Sequence, residues 1–100
     1  MPAFVVSRVD INDAELMTSY MEAAPETVAQ YGGRYVVRTG DIEVLEGTAT
    51  CDRVVILEFP DKAQALSWYN SSEYAALRGQ RWRAADASIL LVKPDPQNSA

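Results

Sequence analysis

The chain lacks histidine altogether and has a single cysteine, Cys51. Histidine is the usual general base and a common ligand of haem and of transition metals, so its absence excludes Ser/His/Asp and Cys/His catalytic machinery. A lone cysteine forms no disulfide within the chain, and there is no Cys/His cluster for structural zinc. We therefore predict that the protein uses no metal and no cofactor, and that it works in a reducing, cytoplasmic compartment.

Cations are also scarce, with 9 Lys and Arg against 14 Asp and Glu and a formal net charge of -5. Nucleic acids and anionic membrane surfaces are both bound through clustered cations. The apolar run at the start of the chain is too short for a signal sequence or a membrane span. We expect neither a nucleic acid nor a membrane as partner.

The chain has 100 residues, of which 48% are hydrophobic. A chain of this length buries one modest core and not two. We predict a single ferredoxin-like domain over residues 1–93 and a flexible polar tail over residues 94–100.

Four segments rich in β-branched residues predict strands at 3–9, 34–39, 53–59 and 88–93, with an extension of the second strand at 42–45. Pro60 ends the third of these strands.

Capping patterns predict the helices between these strands. Asn12 is the predicted N-cap of the first helix with Glu15 in its capping box, and Pro25 should kink or interrupt that helix before Gly32 or Gly33 ends it. A second helix begins after Asp61 with Gln64 in the box position, and a third begins after Ser71 or Ser72.

The resulting βαββαβ order predicts an α+β fold of the ferredoxin-like type, with helices on one face of a four-stranded antiparallel sheet. Such a half-covered sheet should show alternating apolar and polar residues, yet the strands are apolar on both faces. The chain has no further element to cover the second face. We therefore predict a homodimer whose sheets pack face to face as a dimeric α/β barrel.

Five motifs carry a resemblance to a known family: GGRY at 32–35, Arg38, LEG at 45–47, LEFP at 57–60 and YNSSEY at 69–74. In order and spacing they resemble the family catalogued as domain of unknown function thirteen-thirty, within the dimeric α/β-barrel group. The resemblance extends from Val5 to Val92. Thr39 stands where the family usually has glycine and Ser72 where it usually has proline, which alters the adjoining turns.

The resemblance implies the dimeric barrel and a cavity between sheet and helices in each subunit, but no established activity. Neighbouring families of this architecture include cofactor-independent oxygenases of polycyclic aromatics, haem-degrading enzymes, lactone isomerases and aldoxime-processing enzymes. The haem branch is disfavoured because its iron-ligating histidine has no counterpart in this chain.

The predicted second strand carries Arg34 and Arg38, which are four residues apart and should project from the same face. Glu58 follows on the next strand between Leu57 and Phe59, where a buried carboxylate needs a partner. One interpretation is a structural ion pair between Glu58 and an arginine across the hairpin. The other is that an arginine binds an anionic group of a ligand while Glu58 acts as a base in the same pocket.

Four other residues are candidates for the site. Glu46 either caps the loop after the second strand or serves the site, and Ser71 either caps a helix over Tyr74 or joins Tyr74 in binding a ligand. The phenol of Tyr69 at the mouth of the pocket would orient a substrate or donate a proton.

Arg78 and Arg81 lie on an otherwise apolar stripe of the third helix. They either extend over aromatic rings or pair with acids of a partner subunit. The aromatic residues at 20, 31, 68 and 82 fit core or interface positions better than a ligand cage.

These patterns predict a homodimer that binds a small organic molecule, carboxylated or aromatic. Catalysis of oxygenase or isomerase type would use Arg34, Arg38, Glu58 and a tyrosine such as Tyr69. The alternative is a non-catalytic module that binds a ligand or supports an oligomer.

Overall fold

The computed structural model describes residues 1–95, and the predicted flexible tail lies mostly outside these residues. The chain folds into strand β1 (Ala3–Ile11), helix α1 (Ala14–Gln30), strands β2 (Arg34–Thr39) and β3 (Arg53–Phe59), helices α2 (Lys62–Tyr69) and α3 (Ser72–Ala84), and strand β4 (Ala85–Val92).

The four strands form one antiparallel sheet in the order β2-β3-β1-β4, so the predicted ferredoxin-like α+β fold is confirmed. The central strands place Val5 opposite both Leu57 and Leu91. The helices cover the face that carries these three residues, which we call the covered face.

The main core lies between the covered face and the helices. Phe59 and Val28 are each only 1% exposed, and Trp68 packs against Phe59 with ring centroids 5.5 Å apart. The indole Nε1 of Trp68 donates to Oγ1 of Thr27 at 3.0 Å, which satisfies the buried indole N–H. This packing holds α1 and α2 over the same part of the sheet.

Helix α1 differs from its prediction in two respects. Its N-cap is Asp13, whose carboxylate accepts from the backbone N–H of Leu16 at 3.1 Å, so the prediction of Asn12 is wrong by one residue. Both side chains suit an N-cap, and the local sequence does not distinguish them. The helix also continues through Pro25 without interruption.

The glycine pair after α1 is required by local geometry. Gly32 has φ of 77°, in the left-handed region that favours glycine. A Cβ on Gly33 would lie 2.6 Å from the ring of Phe59 and 2.8 Å from Val28. These two residues therefore end the helix and let the chain pass close to the core.

Most of the remaining boundaries agree with the sequence, although β1 extends to Ile11, two residues beyond its predicted end. Asp61 and Ser71 cap α2 and α3 as predicted, through their side chains to the N–H groups of Gln64 and Tyr74. The predicted extension of β2 at 42–45 is wrong, because these residues form no strand. Strand β4 begins at Ala85, three residues earlier than predicted, since α3 leads into it directly.

The second face of the sheet, which we call the open face, has no helix against it among residues 1–95. Val6 lies at its centre opposite Ile56 and Leu90, and Leu90 is 61% exposed. The centre of the open face is therefore aliphatic. Among the same residues, no helix is long and apolar enough to cross a membrane.

Candidate functional site

A β-bulge in β2 separates the two arginines that the sequence placed together. Arg34 lies opposite Glu58 and Arg38 lies opposite Val55, with a register shift between Tyr35 and Val37. The bulge uses one extra residue, and the side chains beyond it change face. Arg34 consequently projects from the open face and Arg38 from the covered face, so the prediction of a shared face is wrong.

On the open face, Arg34 and Glu58 form an ion pair with Nη2 and Oε1 2.6 Å apart. The side chain of Arg34 is 69% exposed and that of Glu58 is 26% exposed. This contact matches the structural interpretation of Glu58. Placing Glu58 as a base in the same pocket as Arg38 was wrong for a single subunit, because the two side chains lie on opposite faces.

A cavity lies on the covered face, between the sheet and helices α1 and α3. It measures about 30 Å³, which is room for one or two water-sized groups. Its lining is apolar and aromatic apart from two arginines and a serine: Ser7, Val9, Met17, Tyr20, Met21, Tyr35, Arg38, Val55, Leu57, Trp68, Tyr74, Arg81 and Ile89. None of the lining residues within 1–95 is an aspartate or glutamate.

Arg38 and Tyr35 form the wall that β2 contributes. The guanidinium carbon of Arg38 lies 4.8 Å from the centroid of the Tyr35 ring, a cation–π contact. Burial raises the pKa of Tyr35, while the charge of Arg38 acts in the opposite direction. Because Arg38 is exposed, it lies at the mouth of the cavity with its charge available to a ligand.

The opposite wall contains a chain of polar groups from α1 and α3. The hydroxyl oxygens of Tyr20 and Tyr74 are 2.5 Å apart, and Nε of Arg81 donates to the Tyr74 hydroxyl at 3.3 Å. Burial, followed by the neighbouring Tyr74, strongly raises the pKa of Tyr20. The Tyr20 phenol therefore stays protonated at neutral pH, and the neighbouring hydrogen-bonded chain ends on the cation of Arg81.

Arg81 is the most unusual member of this chain of groups. It is only 4% exposed, and its Nη2 has no hydrogen-bond partner within the residues described. A guanidinium stays charged at any physiological pH, so a positive charge is held inside the protein without a carboxylate beside it.

Ser71 and Tyr69 are both close to this wall in sequence, but neither side chain lines the cavity. Ser71 is buried and caps α3, and its hydroxyl also donates to the backbone oxygen of Trp68 at 2.7 Å. Tyr69 is outside the cavity lining and belongs to a surface depression that it shares with Arg81 and Trp82. Tyr74, by contrast, is fully buried in the cavity wall.

Glu46 lies apart from the cavity, on the exposed loop between β2 and β3. Gly47 beside it has φ of 86° and turns the chain there. In residues 1–95 no group of three or more His, Cys, Asp or Glu side chains is arranged to hold a metal ion.

Tyr20, Tyr35 and Arg81 line the cavity and were not predicted from the sequence to do so. A signal for Arg81 was present, because Tyr74 and Arg81 are seven residues apart and share one face of a helix. Arg78 does extend over aromatic rings, 5.1 Å from the Tyr69 centroid and 5.5 Å from the Trp82 centroid. Arg81 instead turns inward to the phenols.

A family model described as Domain of unknown function (DUF1330) matches residues 2–94. The chain therefore belongs to this family, as the motifs in its sequence indicated. No curated protein matches it at a significant level.

Several solved structures share the fold. A protein of unknown function from Rhodopseudomonas palustris, RPA0582, superposes with a TM-score of 0.80 at 20% identity, over 94% of this chain and 82% of that one. SnoaB, a cofactor-independent oxygenase from Streptomyces nogalater, superposes with a TM-score of 0.67 at 11% identity. The match covers 94% of this chain and 93% of SnoaB. A dimeric ferredoxin-like protein of unknown function from Jannaschia sp. CCS1 superposes with a TM-score of 0.66 at 11% identity. The match covers 93% of this chain and 99% of that protein.

Proposed function

We propose that this member of the DUF1330 family forms a homodimer through its open faces and binds a small organic molecule in the cavity of each subunit. The cavity on the covered face is the observation that carries the proposal. Its lining joins aromatic rings and aliphatic side chains to a few polar groups, which is the usual composition of a small-molecule site.

The open face supports the homodimer. Leu90 and Val92 are 61% and 41% exposed, and Val6 and Ile56 lie between the edges of the sheet with partly exposed side chains. A contiguous aliphatic face of this kind is uncommon on a monomer in water. The Jannaschia protein of the same fold is described as dimeric, and a second copy of this chain offers a matching face.

Arg38 supports a ligand with an anionic or electron-rich part. Its guanidinium lies at the mouth of the cavity, and none of the lining residues described is an acid that would pair with it. Arginine binds carboxylates through two parallel N–H donors, which fixes the orientation of the ligand.

The proposal does not depend on the binding or catalytic roles that the sequence predicted for the other candidate residues. Ser71 and Tyr74 support the wall of the cavity, whereas Glu46 and Tyr69 lie outside its lining. Catalysis by Glu58 and Tyr69 and the cytoplasmic location stay predictions. The oxygenase SnoaB shares the fold, and we propose oxygen consumption with aromatic substrates as the first activity to assay.

The proposal is tested by native mass spectrometry and thermal unfolding after incubation with a metabolite extract. Arg38→Ala should lose the ligand that the wild type retains, while its unfolding temperature changes little because Arg38 is exposed. Arg34→Ala is the matched control and should retain the ligand, since its side chain lies on the other face. Sedimentation of the wild type at micromolar concentration tests the dimer.

A ligand that binds Arg34→Ala and Arg38→Ala equally well would count against the cavity as the site. A well-folded monomer at micromolar concentration would count against the homodimer. Consumption of oxygen or conversion of the retained molecule would favour an enzyme, and an unchanged ligand would favour the non-catalytic module.

A further inference from the structure

We infer that Arg81, together with the phenols of Tyr20 and Tyr74, forms a subsite for a carboxylate group at the inner wall of the cavity. The inference rests on the proposed function, because it names the chemical group that the cavity recognises. It assigns a binding role to Tyr20 and Arg81, which the sequence had placed in the core or at an interface, and to Tyr74, which the sequence had already offered as a ligand-binding residue.

Arg81 carries a buried positive charge. Its side chain is 4% exposed, and within the described residues the chain contains one ion pair, between Arg34 and Glu58 on the other face. Removing a charged group from water is unfavourable unless an opposite charge or a full set of hydrogen bonds compensates. A bound anion would supply the opposite charge that the described residues do not place beside Arg81.

The inner wall of the cavity has more hydrogen-bond donors than acceptors. Two phenols carry two protons, and one of these occupies the hydrogen bond between Tyr20 and Tyr74. The Tyr74 oxygen also accepts from Nε of Arg81, so the second phenol proton has no acceptor within the residues described. The wall thus offers this proton and the free Nη2 of Arg81, which are both donors.

A wall of donors selects a group that only accepts hydrogen bonds. An ionised carboxylate has two oxygens and no proton, whereas a primary amide of the same shape brings two donors of its own. An ammonium group brings three donors and a repelling charge. The arrangement therefore favours a carboxylate over its neutral and cationic analogues.

The size and the apolar surroundings of the cavity also fit a carboxylate. About 30 Å³ suits a planar carboxylate better than a tetrahedral phosphate, and the guanidinium fork matches two carboxylate oxygens. The surrounding side chains, Val9, Met17, Val55 and Ile89, are apolar. They suit a short aliphatic group next to the carboxylate, whereas a larger group such as an aromatic ring would extend from the cavity through its mouth.

The test compares two carboxylates, acetate and benzoate, with their neutral analogues acetamide and benzamide and with inorganic phosphate. Binding to the full-length wild-type protein is measured by calorimetry and by the change in unfolding temperature. We expect benzoate to bind more tightly than benzamide, because a hydrogen bond to a charged group contributes more than a neutral one. Phosphate is expected to bind more weakly than either carboxylate.

Arg81→Met tests the assignment, because it keeps a long side chain and removes the charge. It should weaken benzoate binding by on the order of 10- to 100-fold and weaken benzamide binding much less, because benzamide loses only a neutral hydrogen bond. Arg78→Met is the matched control, since Arg78 lies three residues away on the same helix and stacks on Tyr69 and Trp82 outside the cavity lining. It should bind benzoate as the wild type does.

Tyr20→Phe and Arg81→Lys carry the same test if Arg81→Met fails to fold. The first removes one phenol and should weaken benzoate binding by several-fold, and the second keeps the charge without the planar fork and should also weaken it. Circular dichroism and the oligomeric state of each variant check that its fold is retained.

Equal binding of benzoate to wild type and Arg81→Met would overturn the subsite, and so would tighter binding of phosphate than of benzoate. If no carboxylate binds but a neutral molecule is retained and is lost in Arg38→Ala, the subsite fails while the proposed function stands. If nothing binds to the cavity in either experiment, both fail.

Discussion

The arginines on the two sides of the sheet differ in whether a carboxylate neutralises their charge. On the open face, Arg34 is paired with Glu58 across the β2–β3 hairpin, and the pair lies beside aliphatic side chains. On the covered side, Arg38 of β2 and Arg81 of α3 meet an aromatic ring and a phenol hydroxyl and no carboxylate within residues 1–95. The charge of Arg34 is neutralised within the chain, whereas Arg38 and Arg81 have no acid partner within residues 1–95.

The faces also differ in the rest of their composition. The covered face packs against a cluster in which the rings of Trp68 and Tyr74 lie 4.2 Å apart and Tyr20 meets Tyr74 at 6.2 Å. The open face carries Val6, Ile56 and other aliphatic residues at its centre. Aromatic residues with hydroxyls suit a site that must be apolar and still offer hydrogen bonds, and aliphatic residues suit contact between subunits.

The largest expected difference between the faces concerns stability. Leu57→Ala removes a side chain that is 4% exposed in the core and should lower the free energy of unfolding by about 2–5 kcal/mol at every protein concentration. Ile56→Ala, the neighbouring residue on the open face, should lower it only at concentrations where the dimer forms. Urea unfolding at two widely separated protein concentrations measures both effects.

The comparison breaks if Ile56→Ala behaves as Leu57→Ala does, with a loss that is independent of concentration. The open face would then contribute to the stability of a single subunit and not to an interface.

A smaller effect is expected at alkaline pH and belongs to the covered face. Burial raises the pKa of Tyr20 and of Tyr35 above their ordinary value of 10.0. A raised pKa in the folded state means that the contribution to stability is complete below pH 10 and is lost as the pH rises through the folded value. Tyr20→Phe should therefore lose less stability than wild type between neutral pH and strongly alkaline pH.

Unfolding followed over a pH series and phenolate absorbance of the folded protein together check this prediction. Tyr69→Phe is the control, because its side chain lies outside the cavity lining and should leave the alkaline loss in place. An equal alkaline loss in wild type and Tyr20→Phe would show that the buried phenol does not carry the effect.

The smallest effect concerns the ion pair of the open face. Because Arg34 is mostly exposed, the pair should contribute about 1 kcal/mol or less, and added salt should reduce that contribution further. A double-mutant cycle with Arg34→Ala and Glu58→Gln at low and high salt measures it. A coupling of several kcal/mol that persists in salt would instead indicate that the pair is buried in the dimer.

Most of the secondary structure was predictable because its signals are local. Asp61 and Ser71 cap helices through contacts with residues three positions away, and the β-branched runs mark β2 and β3 at the bounds that the structure has. The errors at Asn12 and at residues 42–45 arise where neighbouring residues suit the same role or where a β-branched run has no strand to pair with. The family was recognisable from motifs that span the chain.

The candidate site was less predictable, as two arginines show. Arg38 was placed on the face of Arg34 because regular alternation was assumed, and the bulge between Tyr35 and Val37 reverses that face. Arg81 was recognised as unusual on its helix, but its direction depends on Tyr20, which is far away in the chain.

The sequence by itself determined the order of the elements, the ferredoxin-like fold and the apolar character of both sheet faces, because capping, periodicity and β-propensity act between residues close in the chain. Only the tertiary structure decided which arginine is paired and which faces the cavity. That choice depends on the register between β2 and β3 and on the packing of α1 against α3, and both are set by contacts between distant segments.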